Sequence, residues 1–358
     1  MDCIHVHTTR IASDIFPTRS AGTLRDMPTT TDPSVTLRRG GLTFRPATLD
    51  DAAFAADVAT ATHPDEPEDP ASWRHWWSTD DPTWTNERFI VLRGNTPIGY
   101  ARHNHAPWDQ MKKRYGRIGF DLLPAERTDA QLATVFDAME ERAQASGTRI
   151  FAAYARGDDE WLARWLLAHG YREERRSKAW LLDLVAQRQK IEQMAAESRD
   201  KMRAAGITIQ TIDKDADTEK FHKIHEMSEE AATDVPTTIP HVRQAFEVFV
   251  RWFDAPTVRL DRMWIAREGD DIVGISVLSY PPTRGNVWTD WTGTARKVRG
   301  RGVARALKLE TVMQAIALGV KSVRTENDGE NAPILHLNAQ MGYTPIPGWT
   351  QFLKDAIG

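Results

Sequence analysis

The stretch "KVRGRGVARALK", residues 297–308, places two glycines one residue apart among lysines and arginines, directly before a helical pattern. A strand-like segment, "NVWTDWTGT", precedes it at 286–294. Apolar residues at helical spacing follow, at Leu309, Val312, Met313 and Ile316. Glycine lets the backbone approach a bulky anion without a Cβ between them. The N-terminus of a helix adds unpaired N–H groups and partial positive charge. The stretch therefore predicts an anion cradle at Gly300 and Gly302 that suits a pyrophosphate.

Two common phosphate motifs do not match this stretch. A Walker A loop needs Lys followed by Ser or Thr after its last glycine, and Gly302 is followed by Val303 and Ala304. A dinucleotide fingerprint needs a third glycine where Arg305 stands. The structural alternative is an ordinary glycine-containing turn between a strand and a helix, with solvated arginines around it.

Composition limits the classes of protein to which the chain can belong. It has 358 residues, of which 41% are hydrophobic and 27% are charged, as expected for a soluble protein with two domains. The formal charge of −4 disfavours nucleic-acid binding, and a single cysteine, Cys3, excludes a disulfide within the chain. No apolar run reaches about 18 residues and no apolar signal core opens the chain. We therefore expect a cytoplasmic protein with neither membrane nor nucleic-acid partners.

The second half of the chain repeats the pattern of the first. A strand leading into a helix at 42–63 recurs at 207–228, and a hairpin at 88–105 recurs at 264–280. The same interval separates Gly147 from Gly170 and Gly319 from Gly342. These matches predict a tandem duplication of one α+β domain of roughly 150 residues, an ordinary domain size. Each copy is expected to have a mixed, mostly antiparallel central sheet flanked by helices.

Four segments follow from the repeat. Residues 1–40, rich in Thr, Ser, Pro and Arg, are predicted to be a disordered tail. The first domain is expected over 41–184 and the second over 207–358. Between them, 185–206 contains no Pro and ends on Gly206, which predicts a connecting helix.

The cradle is expected in the second copy alone. The glycine interval places Thr128 opposite Gly300 and Ala130 opposite Gly302. Asp129 then stands where the second copy has an arginine. The first domain is therefore predicted to be a degenerate copy.

Two segments resemble the GNAT superfamily of acyl-CoA N-acyltransferases. They are "TGTARKVRGRGVARALK" at 292–308 and "RTENDGENAPILHLNAQMGYTPIPGW" at 324–349. The superfamily pattern is Q/R-x-x-G-x-G/A, and here Lys297 takes the first position, a mild departure. The resemblance covers most of 207–358 and is closest to bacterial tandem GNAT proteins. It implies an N-acetyltransferase that uses acetyl-CoA as cosubstrate, without a metal, and whose active site lies in the second domain.

The resemblance also implies which residues hold acyl-CoA. Backbone amides from Val298 to Ala304 would bind the pyrophosphate, and the strand edge at Thr292 to Thr294 would pair with pantetheine amides. Asn331 would contact CoA, although its sequence context also predicts a helix N-cap. The full set is Thr292, Thr294, Val298, Arg299, Gly300, Arg301, Gly302, Val303, Ala304 and Asn331.

An acyl transfer to an amine needs a base, because the nucleophile must lose a proton. Asp290 is the first candidate, since strand alternation predicts that it shares a face with Trp288, Thr292 and Thr294. Its structural alternative is an aspartate held in an ion pair or hydrogen bonds. Glu326, at the end of the next strand, is the second candidate.

The general acid and the acceptor site are less well defined by the sequence. Many GNAT enzymes have a tyrosine acid four residues before the glycine–aromatic pair, and this chain has Asn338 there. Solvent, Tyr280 or another group is left to protonate the thiolate. Asp234, in the segment "TDVP", is assigned with Tyr280 and Asn338 to the acceptor region. The acceptor is expected to be a primary amine of a small molecule or peptide, bound by a monomer or homodimer.

The sequence also fits a second function. The missing tyrosine and the degenerate first copy also suit a catalytically inactive acyl-CoA-binding or regulatory protein with a tandem GNAT fold. The glycine loop, Asp290 and Asn331 favour the enzyme.

Overall fold

The computed structural model describes residues 36–356 and has the α+β class that the sequence predicts. Residues 1–35 of the predicted tail lie outside the described residues. At its other end, Leu37–Arg39 forms a strand rather than a tail, because it pairs with the segment that follows it through a turn at Gly40 and Gly41. Both of these glycines have positive φ, a conformation that suits glycine.

Apart from an extra first strand in the first half and an extra first helix and short late strand in the second, the two halves contain strands and helices in the same order. The first half forms β1 (Leu37–Arg39), β2 (Leu42–Pro46), α1 (Ala52–Thr62), α2 (Pro70–Ser78), β3 (Thr85–Arg93), β4 (Thr96–His105), β5 (Tyr115–Leu122), α3 (Asp129–Ala145), β6 (Ile150–Arg156), α4 (Glu160–Ala168) and β7 (Arg172–Asp183). The second half forms α5 (Arg188–Ala204), β8 (Ile207–Thr211), α6 (Lys220–Thr233), α7 (Phe246–Phe249), β9 (Met263–Glu268), β10 (Asp271–Ser279), β11 (Trp288–Thr294), α8 (Val303–Ala317), β12 (Ser322–Asp328), α9 (Ala332–Met341), β13 (Thr344–Ile346) and β14 (Trp349–Asp355).

The chain divides into two compact units. The C-terminal unit comprises Arg176–Pro281 and Asn286–Trp349, and the N-terminal unit comprises the described residues up to Arg175, Pro282–Gly285 and 350–356. The helix α5, which the sequence predicted as a linker over 185–206, belongs to the C-terminal unit. Its Ile191 and Met194 join the hydrophobic core that includes Leu309 and Val312 of α8.

Each unit has a mixed, mostly antiparallel sheet. In the N-terminal unit the strand order is β1-β2-β3-β4-β5-β6-β14, and β5 and β6 are the parallel pair. In the C-terminal unit the order is β7-β12-β11-β10-β9-β8, with β13 also on β7, and β11 and β12 are the parallel pair. The sheet of each unit thus includes a strand from the other half of the chain. For this reason the units do not coincide with the segments 41–184 and 207–358 expected from the sequence.

The two halves differ in the start of the helix that follows β5 in the first half and β11 in the second. Thr128 is the N-cap of α3 and Gly302 is the N-cap of α8. The glycine interval aligned Thr128 with Gly300, whereas the helix N-caps align Thr128 with Gly302, a shift of two residues. The reason is that α3 has 17 residues and α8 has 15.

Within residues 36–356, no helix is long and apolar enough to span a bilayer.

Candidate active site

The parallel strands β11 and β12 diverge. Their register contains one residue pair, Trp288 with Arg324, and the backbone N–H of Arg324 donates to the carbonyl of Val287 at 2.8 Å. Beyond this pair, within residues 36–356, β11 pairs with β10 and β12 pairs with β7, but the two strands do not pair with each other. We call the opening between residues 289–294 of β11 and 325–328 of β12 the wedge. An extended ligand can add to a strand edge at such a separation.

A β-bulge interrupts β11 at Asp290. Val277 of β10 pairs with Trp291 and Leu278 pairs with Thr289, so Asp290 has no partner residue on β10. A bulge often re-aims a side chain beside a functional site. Here it places Asp290 in the wedge, two residues after Trp288, the last residue of β11 that pairs with β12.

The bulge also changes the face on which Asp290 lies. Asp290 contacts Trp252, whose ring is 5.8 Å from Phe249, and Phe249 packs on His225 of α6. Thr294, by contrast, lies beside Leu307 of α8 on the other face of the sheet. The prediction that Asp290 shares a face with Thr292 and Thr294 is therefore wrong, because the extra residue reverses the alternation at this point.

Asp290 is half-buried and its carboxylate accepts a hydrogen bond from the indole N–H of Trp252 at 2.6 Å. Burial raises the pKa of Asp290 to about 6, and the hydrogen bond from Trp252 opposes that rise. No cation pairs with Asp290 in the described chain. A carboxylate with a pKa close to neutrality can both accept and release a proton under ordinary conditions.

Glu326, the second predicted base, is buried within β12. Its Oε1 accepts hydrogen bonds from the Ser177 hydroxyl and from the backbone N–H of Trp349, the latter at 3.2 Å. Ser177 belongs to β7, which pairs with β12 in register. These contacts use the carboxylate of Glu326 to join strands, so the geometry favours Asp290 as the base.

The glycine loop leads from β11 into α8. Gly300 has φ of 75° and Gly302 has φ of 91°, both in the left-handed region where side chains with a Cβ are strained. Gly302 is the N-cap of α8 and has no side chain that could cap the helix. The N–H groups of the first helical turn therefore point out of the helix without a capping partner, as an anion cradle requires.

Part of the loop backbone is already hydrogen-bonded. The N–H groups of Val298, Arg299 and Arg301 donate to the carbonyls of Ala295, Arg296 and Val298, at 3.1, 3.3 and 3.3 Å. The prediction that amides from Val298 to Ala304 all face a pyrophosphate is therefore too broad. The amides of Gly302, Val303 and Ala304 are the candidates left for an anion cradle.

The cations of the loop are paired with acids. Asp234, at the end of α6, accepts from Arg296 at 2.6 and 2.7 Å and from Arg299 at 2.6 Å. The hydrogen bond from Arg296, with further support from Arg299, lowers the pKa of Asp234 to about 2. Arg301 pairs with Glu268 at 2.8 Å. Asp234, expected at the acceptor site, instead holds the glycine loop through its ion pairs with Arg296 and Arg299.

Lys201, a cation that the sequence did not single out, lies beside the cradle. A Cβ added at Gly302 would be 3.2 Å from the Nζ of Lys201, which extends from α5. The side chain is exposed, and no carboxylate of the described chain pairs with it. The packing of α5 against α8 brings the two together, a contact that sequence spacing does not reveal.

Three other predicted residues occupy defined positions. Asn331 is the N-cap residue of α9, but its side chain makes no capping hydrogen bond. Asn338 is fully buried and donates to Asn327 of β12 at 2.7 Å, so it belongs to the packing of α9 rather than to an exposed acceptor site. Tyr280 is half-buried beneath Arg262, and burial raises its pKa to about 12. That pKa makes Tyr280 a weak proton donor.

Lys308 differs most from its expected position. The sequence grouped it with the cations around the loop, but the side chain is fully buried at 0% exposure. Its Nζ lies 3.5 Å from the hydroxyl of Thr325 and 5.0 Å from the centre of the Tyr343 ring. Burial lowers the pKa of Lys308 to about 7.

The corresponding helix of the N-terminal unit has a different start. The hydroxyl of Thr128 accepts from the N–H of Gln131 at 3.4 Å, so α3 carries a side-chain cap. Asp129 is in its first turn and accepts from the indole of Trp161 at 3.0 Å. A capped amide and a negative charge both disfavour an anion at this position.

No group of three or more His, Cys, Asp or Glu side chains within residues 36–356 is arranged to hold a metal ion.

Comparison with solved structures identifies the fold. A tandem GNAT protein from the clavulanic acid biosynthesis pathway has a TM-score of 0.66 and 16% identity, over 88% of this chain and 99% of that one. A GCN5-related N-acetyltransferase from Sphaerobacter thermophilus has a TM-score of 0.59 and 18% identity, over 88% of this chain and 96% of that one. A glucosamine N-acetyltransferase region of a fungal multi-domain GH3 β-N-acetylglucosaminidase has a TM-score of 0.61 and 12% identity, over 87% of this chain and 38% of that one. No family model and no curated protein matches the chain.

The chain therefore has the tandem GNAT fold, and the resemblance seen in the sequence is confirmed at the level of the fold.

Proposed function

We propose that the protein is an N-acetyltransferase that transfers an acetyl group from acetyl-CoA to a primary amine, with its active site in the C-terminal unit. One observation carries the proposal: the wedge between β11 and β12 lies between an uncapped, glycine-led helix start at Gly302 and a carboxylate, Asp290, that a bulge places at its edge. An anion cradle, an open strand edge and a candidate base are then close in sequence along one strand, loop and helix.

The residues of the cradle fit a pyrophosphate. The amides of Gly302, Val303 and Ala304 supply donors, and a Cβ at Gly302 would occupy the space between the backbone and Lys201. The partial positive charge of the α8 N-terminus favours a nearby anion. The pantetheine arm, an extended chain with two amides, suits addition to a strand edge along β11 in the wedge.

Asp290 is the proposed general base. As the amine nitrogen bonds to the acetyl carbon, its proton passes to the carboxylate of Asp290, directly or through one water. The Trp252 indole holds the carboxylate in place through the 2.6 Å hydrogen bond. Because the pKa of Asp290 is raised to about 6, the group is mostly ionised at pH 7 and ready to accept a proton.

The N-terminal unit is proposed to bind no acyl-CoA. Thr128 caps the helix at which the pyrophosphate would sit, and Asp129 would repel it. Two like charges in a partly desolvated site cost on the order of 1 kcal/mol or more. The acetyl-CoA site is therefore expected once in each chain.

A thiol-release assay with a pool of amines tests the activity. The full chain, acetyl-CoA and the pool are mixed, release of free CoA is followed with a thiol reagent, and the acetylated amine is identified by mass. Release that depends on the amine pool and is lost in Gly302→Glu supports the proposal. Acetyl-CoA that binds without any amine-dependent release would support instead an inactive acyl-CoA-binding protein, which Asn338 in place of the tyrosine acid favours.

Removal of the Lys201 ammonium should weaken acetyl-CoA binding without affecting the chemical step. Lys201→Ala is expected to raise the Kd for acetyl-CoA about two- to fivefold, since an exposed charge contact contributes up to about 1 kcal/mol. The difference from wild type should shrink at high salt because the contact is exposed to solvent. The measurement is calorimetry at low and high ionic strength. Lys190→Ala, an exposed lysine on the same helix, is the matched control. Equal affinities of Lys201→Ala and wild type at low salt would remove Lys201 from the site.

A further inference from the structure

A buried polar cluster lies between α8, α9 and the sheet of the C-terminal unit. Its members are Lys308, Thr325, Asn327, Asn338 and Tyr343, and together they are called the Lys308 cluster. Thr325 and Asn327 are two residues apart on β12, so their side chains lie on the same face of the sheet. Lys308 contacts Thr325 and the ring of Tyr343, and Asn338 contacts Asn327.

The cluster has more polar groups than its own hydrogen bonds satisfy. The Asn338–Asn327 bond leaves Asn327 Nδ2 and Asn338 Oδ1 without a partner in the described chain. Lys308 has one hydrogen bond, at 3.5 Å, and no carboxylate pairs with it in residues 36–356. Buried polar groups are normally hydrogen-bonded and buried charges are normally paired. A ligand atom at this position would explain the exception.

The cluster lies where the wedge begins. Thr325 is the first residue of β12 beyond the Trp288–Arg324 pair, so Lys308 reaches the sheet at the point where the strands separate. The corresponding residue of β11 is Thr289, the neighbour of Asp290. Lys308 and Asp290 are therefore at the same level of the wedge, on opposite faces of the sheet.

We propose that Lys308 is the general acid of the transfer and donates a proton to the sulfur of the departing CoA, the role for which Asn338 offers no acidic group. This inference rests on the proposed function. The positions of Lys308 and Asp290 on opposite faces of the sheet suit these two roles, because the attacking amine nitrogen and the leaving sulfur lie on different sides of the reacting carbon. The Asn327–Asn338 pair is a positioning element beside the lysine.

The proton balance of the step is complete. The amine nitrogen bonds to the acetyl carbon, the C–S bond breaks, and its electron pair stays on sulfur. The amine proton moves to the Asp290 carboxylate, and a proton of the Lys308 ammonium moves to sulfur, so the products are an amide and a free thiol. Asp290 is left neutral and protonated, and Lys308 is left as a neutral amine. Proton exchange with solvent restores both.

Burial gives Lys308 a suitable acidity. Its pKa, lowered to about 7, is below that of an ordinary thiol, about 8.5. Tyr343, whose own pKa burial raises well above its usual value, is the titratable group that contacts Lys308. Asp290 and Glu326 lie on the other face of the sheet, and the Arg199–Glu310 ion pair lies across α8 from it, two residues along the helix. None of these charges offsets the effect of burial on Lys308.

The test measures the pKa of the thiol of bound CoA, which needs no acceptor. Free CoA is bound to the full chain, and thiolate absorbance is followed across pH for wild type, Lys308→Met and the exposed control Lys190→Met. A lysine beside the sulfur should lower the pKa of the bound thiol by about 1 to 3. Lys308→Met should restore the value of free CoA, and Lys190→Met should match wild type.

A second measurement keeps the inference testable if Lys308→Met does not fold. Wild-type protein with lysine labelled at the ε-carbon should show one resonance that titrates near pH 7 in the free protein, and its pKa should rise when CoA thiolate binds. An unchanged thiol pKa in folded Lys308→Met, or no lysine that titrates near pH 7, would overturn the role of Lys308 and leave the acetyltransferase proposal standing. Wild type that binds no CoA would overturn both.

Discussion

Glutamate in place of Gly302 should abolish detectable acetyl-CoA binding while the protein remains folded. Gly302 has φ of 91°, so any side chain is strained there, at a cost of about 1 to 2 kcal/mol. The Cβ would also enter the cradle, and its carboxylate would face the two phosphate charges at the α8 N-terminus. The nearest atom to that Cβ is the end of the flexible Lys201 side chain, which can move aside, so the fold should tolerate the change.

Two control variants separate charge from strain. Gly319→Glu places the same residue at a glycine with φ of 79° just beyond the other end of α8, where an added Cβ meets nothing within 4 Å. It should bind acetyl-CoA as wild type does. Gly302→Ala introduces the Cβ without the charge and should bind with intermediate affinity. Calorimetry that shows full affinity in folded Gly302→Glu would remove acyl-CoA from this loop.

Asparagine in place of Asp290 should lower kcat about 100-fold or more, the usual contribution of a general base. The amide oxygen of the introduced asparagine can still accept the hydrogen bond from Trp252, so the local structure should be kept. The change would be measured with the amine that the pooled assay identifies. Nearly full kcat at neutral pH would assign proton removal to Glu326 or to water.

The pH dependence of kcat tests the same assignment of Asp290 as the base. A base must be ionised, and the pKa of Asp290 is raised to about 6, so wild-type kcat should fall as pH decreases through about 6. Asp290→Asn should lose that limb. Trp252→Phe removes the hydrogen bond that lowers the pKa of Asp290, so the limb should move to higher pH. A limb that stays in place in Trp252→Phe would show that another group titrates.

Local sequence patterns predicted the backbone conformation of the glycine loop. Two glycines before an amphipathic helix specify a turn with positive φ and an uncapped helix, and both are present at Gly300 and Gly302. The repeated strand and helix patterns predicted the duplicated α+β architecture, since these patterns report which faces are buried. Such features depend on neighbours in the chain.

Features that depend on distant partners were not predicted. The bulge at Asp290 results from its register with β10, and strand alternation alone gave the wrong face. Asp234 forms its ion pairs because α6 ends beside the loop, which the segment "TDVP" does not reveal. The exchanged strands β7 and β14 look in sequence like the ends of their own halves, since the apolar pattern of a strand does not identify its partner.

The burial of Lys308 is another feature that depends on distant partners and that the sequence did not predict. Its position six residues after Gly302 is consistent with either a phosphate-binding cation or a core residue, and a lysine suggests the first. Its neighbours gave no better signal, because β12 has a single apolar residue, Val323, and its sequence does not mark Thr325 and Asn327 as core positions.

Titration of acetyl-CoA into the full chain tests the central claim most directly, because it counts the acyl-CoA sites and locates them. Calorimetry should give one acetyl-CoA per chain for wild type and for Gly319→Glu, and no binding for Gly302→Glu. Two equivalent sites in wild type, or one site that remains in folded Gly302→Glu, would contradict the assignment of acetyl-CoA to the C-terminal unit alone.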